Sequence, residues 1–141
     1  MDNKQTILLV DDQKDFLDVF SAKLREAGFN TIETNSGEEG ISKLREIKPN
    51  LVLLDLIVIL NINMPQMDGV ETLSKIKADP GISDTKVVFL TNHGEPVPVK
   101  DLELNDKKFA QEVGAIDYLR KSTDLDDLVS EVKRLITKYS A

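Results

Sequence analysis

The chain has 141 residues, with 18 Lys+Arg against 25 Asp+Glu and a formal net charge of −7. One domain with its own core is the expectation at this length. The absence of cysteine and the single histidine exclude disulfide frameworks, thiolate metal sites, cysteine nucleophiles and multi-histidine zinc sites, while the acidity and the lack of tryptophan disfavour nucleic-acid and anionic-membrane surfaces.

The N-terminal stretch carries one lysine and a short apolar run, too short and too acidic for a signal peptide, so a cytoplasmic location is expected. Thr6–Val10 reads as a continuous apolar strand ending at Asp11-Asp12. Phe16, Leu17, Phe20 and Leu24 recur at helical spacing, and Gly28 closes that helix. Thr31–Thr34 reads as a short strand. Ser36-Gly37-Glu38-Glu39 opens a second helix carrying Ile41, Leu44 and Ile47, stopped by Pro49. Leu51–Leu54 is strand-like, within an apolar stretch that runs to Leu60 and is too short to cross a bilayer. Asp68–Ala78 reads as a helix ended by Asp79-Pro80-Gly81, Lys86–Leu90 as a strand, Leu102–Val113 as a helix before Gly114, and Ala115–Leu119 as a strand. The final helix carries an apolar stripe of Leu125, Leu128, Val129, Val132, Leu135 and Ile136.

This is an α/β pattern of five strand–helix units. Strands that are continuously apolar rather than alternating belong to a parallel sheet covered on both faces, a doubly wound architecture. Sites in such sheets lie beyond the carboxyl ends of the strands. Those ends hold Asp11 and Asp12, Asp55, Thr91 and Lys121. Carboxylates brought together repel, and a hard cation such as Mg2+ relieves the repulsion while leaving room for a phosphoryl oxygen. A carboxylate beside that metal has the chemistry to attack a phosphoryl group, with metal, lysine and hydroxyl neutralising the transferring oxygens.

The runs ILLVDD, KPNLVLLD, MPQMDG, VVFLT and Tyr118-Leu119-Arg120-Lys121, in that order, resemble the receiver domain of two-component response regulators over nearly the whole chain, Thr6 to Leu135. The resemblance implies a flavodoxin-like (βα)5 fold with strand order 2-1-3-4-5. It implies phosphoryl transfer from a sensor histidine kinase or phosphotransfer protein to an aspartate with Mg2+, and a changed face for a downstream protein partner. By that likeness Asp11 and Asp12 resemble the metal-site acids, with Asp12 the direct ligand. Asp55 resembles the phosphoacceptor and a further metal-site oxygen, Thr91 the switch hydroxyl, Lys121 the paired lysine, and Tyr118 the aromatic that follows the switch. His93 reads as a loop residue near the rim.

The third strand departs from the family pattern. Asp55 and Pro65 lie ten positions apart, six more than receivers show. Asp12 to Asp55 fits the family at 43 positions, but Asn61 to Thr91 fits it at 30, where Asp55 to Thr91 gives 36. The segment nearly repeats itself, Leu51-Val52-Leu53-Leu54-Asp55 and then Leu56-Ile57-Val58-Ile59-Leu60-Asn61. With the first copy in the sheet, Asp55 stands at the rim and the 56–60 segment needs cover, which makes it a candidate homodimer contact. With the second, Asn61 stands there, and an amide forms no acyl phosphate; the chain would be a pseudo-receiver, an interaction module. The ungapped match from Gly37 to Asp55 favours the first, and strand alternation is silent because the two positions share parity. The spacing of Thr91 and Lys121, 30 positions, is about eight longer than the family's, the surplus falling near 94–105 before a helix whose face is a second candidate partner or dimer surface. Ser122 stands where receivers carry proline after the lysine, which leaves the geometry of the Lys121–Ser122 bond open. The expectation is a single receiver domain over 1–141, a phosphoacceptor rather than an enzyme acting on a metabolite, with no nucleic-acid or membrane contact. A phosphohydrolase of related topology is disfavoured because Asp55-Leu56-Ile57 lacks that class's second aspartate.

Overall fold

The computed structural model describes residues 4–56, 69–91, 114–121 and 123–139. Five strands, β1 (Thr6–Val10), β2 (Asn30–Thr34), β3 (Leu51–Asp55), β4 (Val87–Thr91) and β5 (Asp117–Arg120), form one parallel sheet in the order β2-β1-β3-β4-β5. Four described helices cover it: α1 (Lys14–Glu26), α2 (Gly37–Glu46), α3 (Gly69–Ala78) and α4 (Leu125–Tyr139). The helix expected over Leu102–Val113, the loop 94–105, His93, Asn61, Ile57–Leu60 and Ser122 lie outside the described residues.

The continuous apolar runs became the inner strands. Every residue of β3 and β4 is buried, as are the last four of β1, whereas the outer strands β2 and β5 are only partly so. The alternation of side chains divides this interior into two cores. Ile7 and Leu9, Leu51 and Leu53, Val88 and Leu90, and Leu119 face α1 and α4, meeting Leu17, Phe20, Leu24, Leu128, Val132 and Leu135. Leu8 and Val10, Val52 and Leu54, and Val87 and Phe89 face α2 and α3, meeting Ile41, Leu44, Leu73 and Ile76. Leu56, the first residue of the apolar segment expected to need cover, is 4% exposed and belongs to this second core.

Local chemistry sets the helix ends. Ser36 caps α2 by accepting from the Glu39 amide at 3.2 Å, and the Glu39 carboxylate accepts from the Asn35 amide in return. The helix stops at Glu46, short of Ile47, because Lys48 precedes proline and is driven out of the helical region. Gly28 turns the chain out of α1 at φ 102°, where a side chain would be strained. The last strand begins at Asp117 rather than Ala115; Ile116 still donates to the Val87 carbonyl at 2.8 Å and guides the strand in. None of the described helices is long and apolar enough to cross a membrane.

Candidate functional site

Parity along the strands brings three of the expected site residues together. Asp11 continues the row Ile7–Leu9, Asp55 the row Leu51–Leu53, and Lys121 the row beyond Leu119, so all three emerge on the α1/α4 side at the carboxyl ends of β1, β3 and β5. Asp11 and Asp55 are buried, at 0% and 1% exposure, while Asp12 is exposed. Oxygens of Asp11, Asp12 and Asp55 all lie within 4.8 Å of one another.

Lys121 closes this cluster. Its Nζ lies 2.6 Å from Asp11 Oδ2 and donates a hydrogen bond to Asp55 Oδ2 at 2.9 Å. It donates another to Gln13 Oε1 at 2.6 Å and stands 4.8 Å from the centre of the Phe16 ring. Burial opposes its charge, but the Asp55 and Asp11 carboxylates outweigh that penalty and hold the ammonium above the ordinary lysine range. One ammonium does not balance three carboxylates, and the cluster keeps a formal charge of −2.

The donor set fits a hard divalent cation. Asp11 Oδ2 is paired with the Lys121 ammonium at 2.6 Å, and no other group among the described residues reaches this buried oxygen. Its partner oxygen, Oδ1, accepts from the Gln13 amide at 2.8 Å, which fixes the carboxylate's orientation. A buried acceptor with an unused lone pair, beside an exposed carboxylate and a third acid, is the arrangement oxygen-seeking cations occupy.

Thr91 ends β4, one position past Leu90, the residue that pairs with Asp55. Alternation turns it to the α2/α3 side, and its Oγ1 is buried without a hydrogen-bond partner among the described residues. Tyr118 pairs with Phe89 and lies half-buried on that same side, with the Arg120 guanidinium 5.7 Å from its ring centre. Thr91 and Tyr118 thus share a sheet face, apart from the Asp11–Asp55–Lys121 side.

Two residues of this neighbourhood are given no role by the sequence. Gln13 holds the N-cap position of α1 without capping it and spends its side chain on Lys121. Gly69 opens α3 directly against the end of β3, its amide donating to the Leu56 carbonyl at 3.1 Å. A Cβ there would lie 2.5 Å from the carbonyl oxygens of both Asp55 and Leu56. The Asp68-Gly69 pair after the MPQM run was the available signal.

The model of the response regulator receiver domain family matches residues 7–133. The chain is 32% identical over 130 residues to the DNA-binding response regulator MtrA of Mycobacterium tuberculosis, covering 92% of this chain and 50% of that protein. It therefore spans about half the length of such curated relatives. Among solved structures it is similar to a CheY-like response regulator receiver domain protein from Methanospirillum hungatei (28% identity, TM-score 0.72, 96% of both chains). It is also similar to the N-terminal domain of a response regulator/sensory box/GGDEF protein from Carboxydothermus hydrogenoformans (29% identity, TM-score 0.74, 96% of both chains).

Proposed function

The chain belongs to the response regulator receiver domain family, which carries phosphorylation-based signals, and from that premise we propose that it is a working phosphorylation switch with Asp55 as its phosphoacceptor. One observation carries this reading: Asp55 ends the central strand, buried, inside an acidic cluster and hydrogen-bonded to Lys121. An aspartate in that position has a carboxylate nucleophile, whereas the rival Asn61 has an amide.

In the proposed reaction a carboxylate oxygen of Asp55 forms a bond to phosphorus while the donor's bond to phosphorus breaks. The leaving group, a histidine nitrogen of a kinase or phosphotransfer protein, or acetate from acetyl phosphate, departs with the electron pair. Asp11, Asp12 and Asp55 would hold Mg2+, which supplies positive charge for the phosphoryl oxygens when bound. Lys121 lies against Asp55 Oδ2 and offers its ammonium to charge that develops on the same side. Thr91 Oγ1, a buried hydroxyl lacking a partner among the described residues, is the group that gains most by reaching a new acceptor at the rim. Tyr118 shares its face and would register such a movement. The output is a changed surface for a downstream protein, with no metabolite turned over and no nucleic-acid or membrane contact by this domain.

Incubation with acetyl phosphate and Mg2+, followed by intact mass, tests the reading. A gain of one phosphoryl group that disappears in Asp55→Asn is expected. No gain at any Mg2+ concentration overturns it in favour of an interaction module that takes no phosphate, and many turnovers per chain would point to a hydrolase. The metal assignment is tested separately: Mg2+ should raise the melting temperature, by binding the folded state alone, and this shift should shrink in Asp12→Asn.

A further inference from the structure

Lys121 is held by more than its two carboxylates. An ammonium has three donors, and here three oxygens surround it, those of Asp55, Asp11 and Gln13. The Phe16 ring face covers part of the remaining side. Gln13 is the uncharged member of this set. Any cation that neutralises Asp11 and Asp55 weakens their pull on Lys121, but leaves an amide oxygen's hold unaltered.

The placement of Gln13 is itself determined by the site. Its backbone amide donates to Asp11 Oδ1 at 2.8 Å, so Asp11 fixes where the residue begins, and Lys121 fixes where its side chain ends. It occupies the N-cap of α1, where serine, threonine, aspartate or asparagine would satisfy a helix amide, yet it makes no side-chain cap bond. The helix does not use this side chain; the lysine does. A lysine stem has four freely rotating carbons, and restraint at its tip decides whether the charge stays over Asp55.

We propose that Gln13 is a positioning residue: its side-chain oxygen keeps the Lys121 ammonium beside Asp55 and thereby sets the rate at which Asp55 takes up a phosphoryl group. The rate assignment rests on the reading of Asp55 as the phosphoacceptor; the hold on Lys121 does not. Small displacements of a charge-stabilising group are costly in rate, and Gln13→Met, which keeps the bulk and removes the acceptor, should slow uptake from acetyl phosphate about five- to tenfold.

The test uses the full chain and two readouts. In proton–nitrogen NMR a buried, hydrogen-bonded ammonium exchanges slowly with water; the Lys121 signal, assigned by its loss in Lys121→Arg, should vanish in Gln13→Met and persist in Gln13→Glu, which retains an oxygen acceptor. Phosphoryl uptake is followed by intact mass with Mg2+ and acetyl phosphate. A Lys121 signal unchanged in Gln13→Met, or uptake within about twofold of wild type, overturns the assignment. A wild-type chain that gains no mass overturns the Asp55 reading, and the rate assignment with it. A wild-type chain that gains mass while Gln13→Met is unaffected overturns this assignment alone. Should Gln13→Met fail to fold, Gln13→Ala is read in the same way.

Discussion

The two ends of the sheet use the same strands for opposite purposes. At the amino ends, polar groups pair with each other. Asn50 donates its amide to the Thr6 carbonyl and accepts from the Thr6 amide with Oδ1, both at 2.8 Å. Lys77 Nζ donates to the carbonyls of Ser83 and Thr85 at 3.0 and 3.2 Å, and Arg45 meets Asp79 at 3.2 Å. A cavity of about 400 Å³ at this end is bordered by Pro49, Asn50, Ile82 and Tyr139, and among the described residues it gathers no cluster of three acids. At the carboxyl ends, Asp11 and Asp55 share the Lys121 ammonium, Asp12 adds a third carboxylate to the cluster, and the buried Thr91 Oγ1 makes no hydrogen bond among the described residues. One end closes the fold. The other keeps negative charge that the fold does not consume, which is what a hard divalent cation would take up.

Substitutions at the two ends should therefore separate function from stability. The largest effect is expected from Asp55→Asn, which should abolish the phosphoryl mass gain altogether while leaving the metal-free chain folded, since it removes one of three repelling carboxylates. Circular dichroism beside the mass measurement checks both halves. Lys121→Met should come next. It strands two buried carboxylates without their cation and should cost about 3 kcal/mol in urea unfolding without metal, a loss that Mg2+ partly restores. Gly69→Ala should cost about 2 kcal/mol, because the added methyl meets two carbonyl oxygens of the β3 end; phosphoryl uptake should fall with it, since those carbonyls belong to Asp55 and its neighbour. Asn50→Ala, at the quiet end, should cost about 1 kcal/mol or less and leave the uptake rate unchanged. An Asn50 variant that slowed uptake as much as Gly69→Ala would break the contrast between the ends.

Much of this contrast is legible in the residue order. The unbroken apolar runs of β1, β3 and β4 announce strands covered on both faces, and the residues that end or directly follow them name Asp11, Asp55 and Thr91. Boundaries moved where neighbours intervened: α2 ended early because of Pro49, and β5 began late at Asp117. Gln13 was not legible as a partner of Lys121, since 108 positions separate them and nothing in a local pattern joins the two.

The near-repeat after Asn50 marks the division most clearly. By itself the sequence determined a doubly wound sheet and the acids at its rim, because hydrophobic period and strand-end chemistry are local properties, and its ordered motifs carried the resemblance to the receiver family. It did not determine which copy, LVLLD or LIVILN, would enter the sheet, since both are apolar and both end on the same parity. The tertiary structure decided it. Leu51–Leu54 pair with Ile7–Val10, Asp55 pairs with Leu90, and Leu56 remains buried in the second core. A central strand matches two neighbours in register at once, and in this register Asp55, Asp11 and Lys121 emerge on one face close enough to share a charge.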